Sequence, residues 1–249
     1  MRFQYFEEER RDHWKKILLG LLPPGALLLR RWLRYRRRYP RASVDPASLI
    51  ETGARLEEGC VIHAATLGAT VEVGACSTVG AGSVLSGMGP IRIGRFCSIG
   101  PDCFIRSDNH DHGAVTTYPL GQLADGVSAV AGSFRGGEIQ LGHDVWLGRG
   151  VTILAGAHLG TGSIVAAGCV VPGKAFPPYS IIGGVPGKVL RMRFPEATVA
   201  SLLAEAWWDR PLPEILGPMR ERLLRPPDPE LPTASSCGDN QDSRSNEAR

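Results

Sequence analysis

Aromatic residues are scarce in this chain, at 7% of 249 residues, while glycine is abundant at 31. A helical bundle fills its core with large side chains and rarely shows that balance; a solenoid of small repeated turns does. None of the six cysteines (Cys60, Cys76, Cys97, Cys103, Cys169, Cys237) stands in a CxxC pair. Buried reduced thiols are therefore expected rather than disulfides or metal ligands, which fits a reducing, cytoplasmic compartment. No secretory signal peptide is apparent. The apolar run ILLGLLPPGALLL (17–29) is 13 residues long and broken by Pro23-Pro24-Gly25, too short to cross a bilayer as a helix. A basic body is also lacking. The net charge of +3 conceals twelve Lys or Arg against four acids within residues 1–41, a net of +8, so the remainder carries about −5. A repeat body of that sign is not a nucleic-acid surface.

What the chain does have is a period of six. Aliphatic residues recur at Val44, Ile50, Leu56 and Ile62, slip by one to Leu67, Val73, Val79 and Leu85, and slip by two to Ile93, Ile99 and Ile105. After a gap they resume at Leu141, Leu147, Ile153, Leu159, Val165 and Val171, making seventeen hexads. A small or β-branched residue follows each by four places, among them Ser48, Ala54, Cys60, Thr66, Cys169 and Ala175. Strands repeat every two residues and helices every 3.6. A six-residue period fits a triangular coil with one hexad per side, the aliphatic residue pointing inward and the small residue filling a crowded corner. Seventeen hexads give between five and six coils. Glycines at the second and fourth places (Gly142, Gly148, Gly150, Gly160, Gly162, Gly168) suit tight corners. The fold class is mainly β, a parallel β-helix over residues 44–194.

Residues 1–43 form a basic, partly helical extension. The segment 30–41 packs seven Arg around Trp32, Tyr35 and Tyr39. Two readings stand side by side: an interfacial element on anionic lipid, drawn from residues 17–41, or a helix packing its apolar side on the first coils. Residues 195–225 read as a C-terminal helical cap. Pro195 suits a helix start, Val199, Leu202, Leu203 and Ala206 share one face, and a second helix runs through 213–224. Residues 226–249 are Pro-, Ser- and charge-rich, as in a disordered tail.

The repeat fails between Ile105 and Ile139, and long excursions from a rigid scaffold tend to be functional. The excursion (106–138) begins RSDNHDHGAVTTYPL. By the hexad count Asn109 keeps the small position, so His110 projects from the corner where the chain leaves the prism. Asn109-His110 followed by Thr117-Tyr118-Pro119, then LGHDVWLGRGVTILAGAHLGTGSIVAAGCVV (141–171), PPYSIIGGVPGKVLRMRF (177–194) and AEAWWD (204–209), resembles the hexapeptide-repeat acyltransferases, in the xenobiotic and sugar O-acetyltransferase branch. The likeness covers roughly residues 44–216.

That resemblance implies a left-handed coil and a homotrimer using acetyl-CoA as co-substrate, with no metal and with sites in grooves between neighbouring prisms. It implies His110 as general base on a sugar or polysaccharide hydroxyl, or alternatively on a streptogramin- or chloramphenicol-type antibiotic, by direct transfer in a ternary complex. An acceptor must fix the imidazole tautomer; Glu138 or a backbone carbonyl can do so. The resemblance assigns Trp146, Ala166, Ala167, Gly168, Lys174 and Lys188 to coenzyme binding, with a packing role for Trp146 equally open. It assigns Asn109, Thr117 and Tyr118 to the acceptor, while His112, outside that motif, is structural or faces the acceptor. His63, His143 and His158 are read as surface residues. Three departures touch the family pattern: Gly113 in place of an Asp, Val185 in place of an Asn, and Pro172-Gly173-Lys174, which reads as a one-residue insertion. A zinc lyase on this fold needs three converging histidines, and His110 and His112 lack the H-x-x-x-x-H spacing. A non-catalytic scaffold gives no reason for an Asn-His at the loop's start.

Overall fold

The computed structural model describes residues 24–118, 120 and 134–227. The readings made for residues 1–23, Pro119, 121–133, Cys237 and the tail from 228 onward lie outside the described residues. One unit ends at Met192 and a second begins at Arg193.

Among the described residues of the first unit, helix α1 (Pro24–Arg38) precedes twenty-two short strands. Eighteen of them, β1 (Ser43–Val44) through β11 (Phe104–Arg106) and β14 (Ile139–Leu141) through β20 (Ala175–Phe176), fall in rotation onto three parallel sheets, closed on the first sheet by β21 (Ser180–Gly183). These are six complete coils and the first side of a seventh. Sheet A contains β10 (Ser98–Ile99), β15 (Trp146–Leu147) and β18 (Ile164–Val165); sheet B contains β11, β16 (Thr152–Ile153) and β19 (Val170–Val171). Sheet C contains β9 (Ile91–Ile93), β14, β17 (His158–Leu159) and β20. The hexad count fell short because it stopped at Val171. The next corner, 172–174, is one residue shorter than corner 154–157 below it, so the inward residue is Phe176 and the coil carries no insertion. Ile182 continues the inward row.

The core is the expected column. Leu67, Leu85, Ile105, Leu147, Ile153 and Val171 are wholly buried, and each contributes roughly 1.5–3 kcal/mol by leaving water. The small residue sits two places before the aliphatic one, a rule that equals "four after" only when the corner has its usual length. Where the phase slips by one, Ala65 is inward and Thr66 is a strand residue. Ala175 is likewise exposed beside the inward Phe176.

The small inward side chains also link coils. Ser77 Oγ donates to the Gly94 carbonyl (2.8 Å) and accepts from the Cys97 N–H (2.9 Å). Ser83 does the same with Gly100 (3.0 Å) and Cys103 (3.1 Å). The thiols of Cys97 and Cys103 then meet the carbonyls of Gly142 and Gly148 at 3.1 and 3.3 Å. This explains why Ser and Cys alternate here: both are small, and both donate. Burial pushes the Cys60 thiol up to about 11 and that of Cys97 to about 12, from an ordinary 9.0. Because the unfolded chain releases these protons first, stability is fully present below pH 9 and is lost as pH rises toward those values. Urea unfolding should therefore show a midpoint that falls between about pH 9 and about pH 11, and iodoacetamide should leave Cys97 and Cys103 unlabelled until the chain unfolds. A pH-independent midpoint would contradict it.

Glycines at the second and fourth corner places answer different needs. A Cβ on Gly148 would lie 2.6 Å from the Ala167 nitrogen of the coil above, whereas Gly150 adopts φ +68° with open space around it.

Helix α1 packs on the first coil through two tyrosines. Tyr35 Oη donates to the Ser48 carbonyl (2.8 Å) and accepts from Ile50 N–H (3.2 Å); Tyr39 Oη donates to the Ala54 carbonyl (3.0 Å). Of the two readings of this segment, packing on the first coils holds for these residues.

In the second unit, α2 (Glu196–Glu205) ends at Ala206, in the left-handed region, and runs into a 3₁₀ turn, Trp207–Asp209. The two indoles meet edge to face at 5.9 Å. Its buried residues are Thr198, Val199 and Leu202; Leu203 is exposed, contrary to the face expected from sequence. The single second helix expected is two, α3 (Leu212–Leu216) and α4 (Arg220–Leu223), parted at Gly217.

Candidate active site

The chain leaves the prism between sheets B and C. Ser107 is fully buried, its N–H donating to the Ser86 carbonyl (3.1 Å) and its Oγ to the Gly89 carbonyl (2.7 Å). The returning strand closes on it, Gly137 N–H donating to the Ser107 carbonyl at 2.8 Å. Between them stands an antiparallel ribbon, β12 (Asp108–His110) on β13 (Phe134–Gly136), with His110 opposite Phe134. Asn109 therefore does not hold the small inward position; Ile139, two places before the inward Leu141 and level with Ile91 of the adjoining coil, does, and Asn109 is exposed on the ribbon. The hexad count failed because the coil ends two residues before it reaches Asn109.

Asp108 anchors the ribbon and was missed from sequence. It is 4% exposed, accepts from Met88 N–H (3.1 Å) and pairs with Arg106 Nε at 2.6 Å. Beyond it, His110 Nδ1 lies 2.8 Å from the Thr117 carbonyl. A carbonyl can only accept, so in the neutral ring Nδ1 carries the proton and Nε2 the lone pair. Two local turns hold this arch: Asp111 Oδ1 accepts from Gly113 N–H (2.9 Å) and Thr116 Oγ1 from Tyr118 N–H (3.1 Å). Gly113 thus serves a turn made by Asp111. His112, Thr117 and Tyr118 are exposed on the same arch.

Glu138 is not the partner of His110 in this chain. Its carboxylate pairs with Arg92, which also reaches Glu72 at 3.6 Å, and Arg55 meets Glu72 at 3.3 Å, forming a ladder of alternating charge up sheet C. The opposite charge of Arg92, one strand away, is the stronger attraction. His143 is not a plain surface residue either: its Nδ1 accepts from Arg95 N–H at 3.0 Å. His63 and His158 are exposed.

The residues assigned to the coenzyme divide between two regions. Trp146 points outward from sheet A with 53% exposure, between Ser98 and Ile164 of the adjoining coils. Ala166, Ala167 and Gly168 form the exposed A–B corner directly above. Lys188 stands opposite Gly183, where an added Cβ would lie 3.5 Å from that of Ala166, on the antiparallel β22 (Lys188–Met192). Lys174, by contrast, lies at the B–C corner with its ammonium 5.2 Å from the Phe176 ring. That is the corner from which His110 projects, two coils below. In a triangular prism the B–C corner is the vertex opposite sheet A, so His110 and Lys174 do not meet Trp146 within one chain. The concavities of about 470 and 310 Å³ lie elsewhere, around α1 and the first coils. Among the described residues, no three His, Cys, Asp or Glu side chains gather as metal ligands.

The model of the bacterial transferase hexapeptide (six repeats) matches residues 138–173. A chloramphenicol acetyltransferase of Escherichia coli is 36% identical over 129 residues, 49% of this chain and 61% of that one. A probable macrolide acetyltransferase of Lysinibacillus sphaericus is 36% identical over 123 residues, 47% of this chain and 68% of that one. A solved hexapeptide-repeat acetyltransferase of Vibrio cholerae, in complex with acetyl coenzyme A, has a TM-score of 0.45 at 24% identity, over 71% of this chain and 82% of that one. The chain thus spans 61% of the Escherichia coli relative it matches. With the Lysinibacillus sphaericus relative 36% identical and matched over more than two thirds of its length, and with the hexapeptide model matched, the chain belongs to the bacterial hexapeptide-repeat acetyltransferase family.

Proposed function

We propose that this protein transfers the acetyl group of acetyl-CoA to a hydroxyl of a sugar or polysaccharide precursor, with His110 as general base. The observation that carries the reading is the Thr117 carbonyl at 2.8 Å from His110 Nδ1, because it leaves the basic electron pair on Nε2. The acceptor hydroxyl gives its proton to Nε2 while its oxygen attacks the thioester carbon. The tetrahedral oxyanion is held by backbone N–H groups, the C–S bond breaks, and the sulfur leaves with the proton returned from His110. Both substrates meet in one ternary complex, so no acyl-enzyme forms.

The working form is a homotrimer. What supports it is the division of the site: a groove that joins His110 and Lys174 to Trp146, Ala166, Ala167, Gly168 and Lys188 must take a vertex from one copy and sheet A from its neighbour. Asn109, His112 and Tyr118 face the acceptor from the arch. The unpaired thiols of the five described cysteines support the cytoplasm as the compartment, with the enzyme working at the inner face of the membrane.

A second reading is favoured by the relatives' own names: the acceptor is chloramphenicol or a macrolide. Thiol release from acetyl-CoA, measured against free sugars, glycan precursors, chloramphenicol, a streptogramin and a macrolide, separates the two. Turnover confined to the sugars supports the first reading, turnover confined to the antibiotics replaces it with the second, and no thiol release with any hydroxyl acceptor overturns both.

A further inference from the structure

We infer that helix α1 is a membrane-docking element that holds the N-terminal end of the prism on an anionic lipid surface. Tyr35 and Tyr39 fix only the C-terminal half of the helix to the first coil. The preceding turns leave Leu28, Leu29, Trp32 and Leu33 exposed, at 39, 57, 38 and 49%. Spaced i, i+1, i+4, i+5, they form one continuous strip along the helix. Arg30, Arg31, Arg34, Arg37 and Arg38 stand on the far side of the helix from that strip, with Tyr35 turned to the coil, and the helix holds no acidic residue. Among the described residues no carboxylate pairs with them; Arg38 donates to the carbonyls of Thr52 and Ala54, and Arg36 stacks over Trp32 at 5.0 Å. A concavity of about 310 Å³ runs beneath Trp32 and Arg36, walled by Tyr35, Tyr39, Ser43 and Val44.

Charge selects the occupant. An apolar strip bordered only by guanidinium groups matches a bilayer face, where leucines and an indole enter the acyl boundary and arginines meet lipid phosphates. The net of +8 in residues 1–41 against about −5 for the rest turns this end of the molecule toward a negative surface. Because the tyrosines already hold the helix in shape, docking does not carry the cost of folding it. No described helix is long and apolar enough to cross a membrane, so the contact lies in the interface plane.

This inference stands apart from the acetyl-transfer reading, since its readout is binding. The full chain is sedimented with vesicles of phosphatidylcholine alone and of phosphatidylcholine with phosphatidylglycerol. Pelleting with the anionic vesicles, weakened by added salt, is the expected result. The double variant Leu29→Glu/Leu33→Glu should lower the partition coefficient at least about tenfold, and Arg30→Gln/Arg34→Gln/Arg37→Gln by on the order of tenfold or more. All five positions are exposed, and unchanged thermal melting shows that the fold is intact. Absence of pelleting by the wild type, or equal pelleting by Leu29→Glu/Leu33→Glu, overturns the inference. So does concentration-dependent self-association in sedimentation velocity that the double variant abolishes while vesicle binding is nil, which would assign the strip to a second copy.

Discussion

Replacing His110 with alanine is expected to lower kcat by on the order of a hundredfold or more, the usual cost of losing a positioned general base, while acetyl-CoA binds as before. The companion variants give this expectation its edge. Thr117→Ala keeps the carbonyl that meets Nδ1, so kcat should stay near wild type even though the residue beside the base has changed. Glu138→Gln removes a charge from Arg92 on sheet C and nothing from the imidazole, so it too should leave kcat near wild type. A collapse of activity in Glu138→Gln comparable to that in His110→Ala would restore the carboxylate as the partner and sink the carbonyl assignment. Steady-state kinetics on the best acceptor, with acetyl-CoA affinity measured by titration calorimetry, resolves all three variants.

The largest expected effect on stability comes from Gly148→Val. A Cβ there would stand 2.6 Å from the nitrogen and 2.9 Å from the Cα of Ala167. Both are backbone atoms of the next coil, which cannot swing aside as a side-chain tip would. Relief requires opening the interstrand spacing of about 4.8 Å, at the expense of the bond from Gly148 N–H to the Val165 carbonyl (2.8 Å). A loss of at least about 3 kcal/mol is expected, at the severe end for point substitutions. It should appear as a lowered urea midpoint together with weakened acetyl-CoA binding, because Ala167 belongs to the candidate coenzyme corner. Gly150→Ala, two residues on, is the control: its space is open and only a positive φ must be tolerated, at about 1 kcal/mol. Asp102 already holds φ +59° at the same corner one coil below. Equal stability losses in the two variants would show that the close approach is not what the glycine serves.

The period of six made the prism legible because every side repeats the same demand, one aliphatic residue inward and one small residue before it. Reading failed wherever a corner departed from four residues. Thr66, Asn109 and Ala175 were each placed inward by a count that assumed constant length, and at each the chain had shortened or left the coil. The last two sides were missed for the same reason, at corner 172–174. The place of His110 at the onset of the excursion was legible in the sequence; its role as base remains a proposal. The partner of its ring was not legible, because a main-chain carbonyl has no signature in sequence, whereas a carboxylate such as that of Glu138 does. Asp108 was hidden differently: an acid at a loop's start ordinarily reads as solvated, and only the fold shows it buried against Met88 and Arg106.

The bond from Gly137 N–H to the Ser107 carbonyl has an evolutionary consequence. Because the chain departs and re-enters at one point, with β14 resuming the register set by β9, everything between is topologically an insertion. Its length and composition can drift without shifting a single hexad above or below. The proposed coenzyme corner, built from the coils themselves, is held to strict geometry, whereas the segment proposed to meet the acceptor is exchangeable. A lineage with this architecture can change acceptors by replacing one cassette, and exchange of residues 107–137 between relatives is the natural unit for engineering a new specificity.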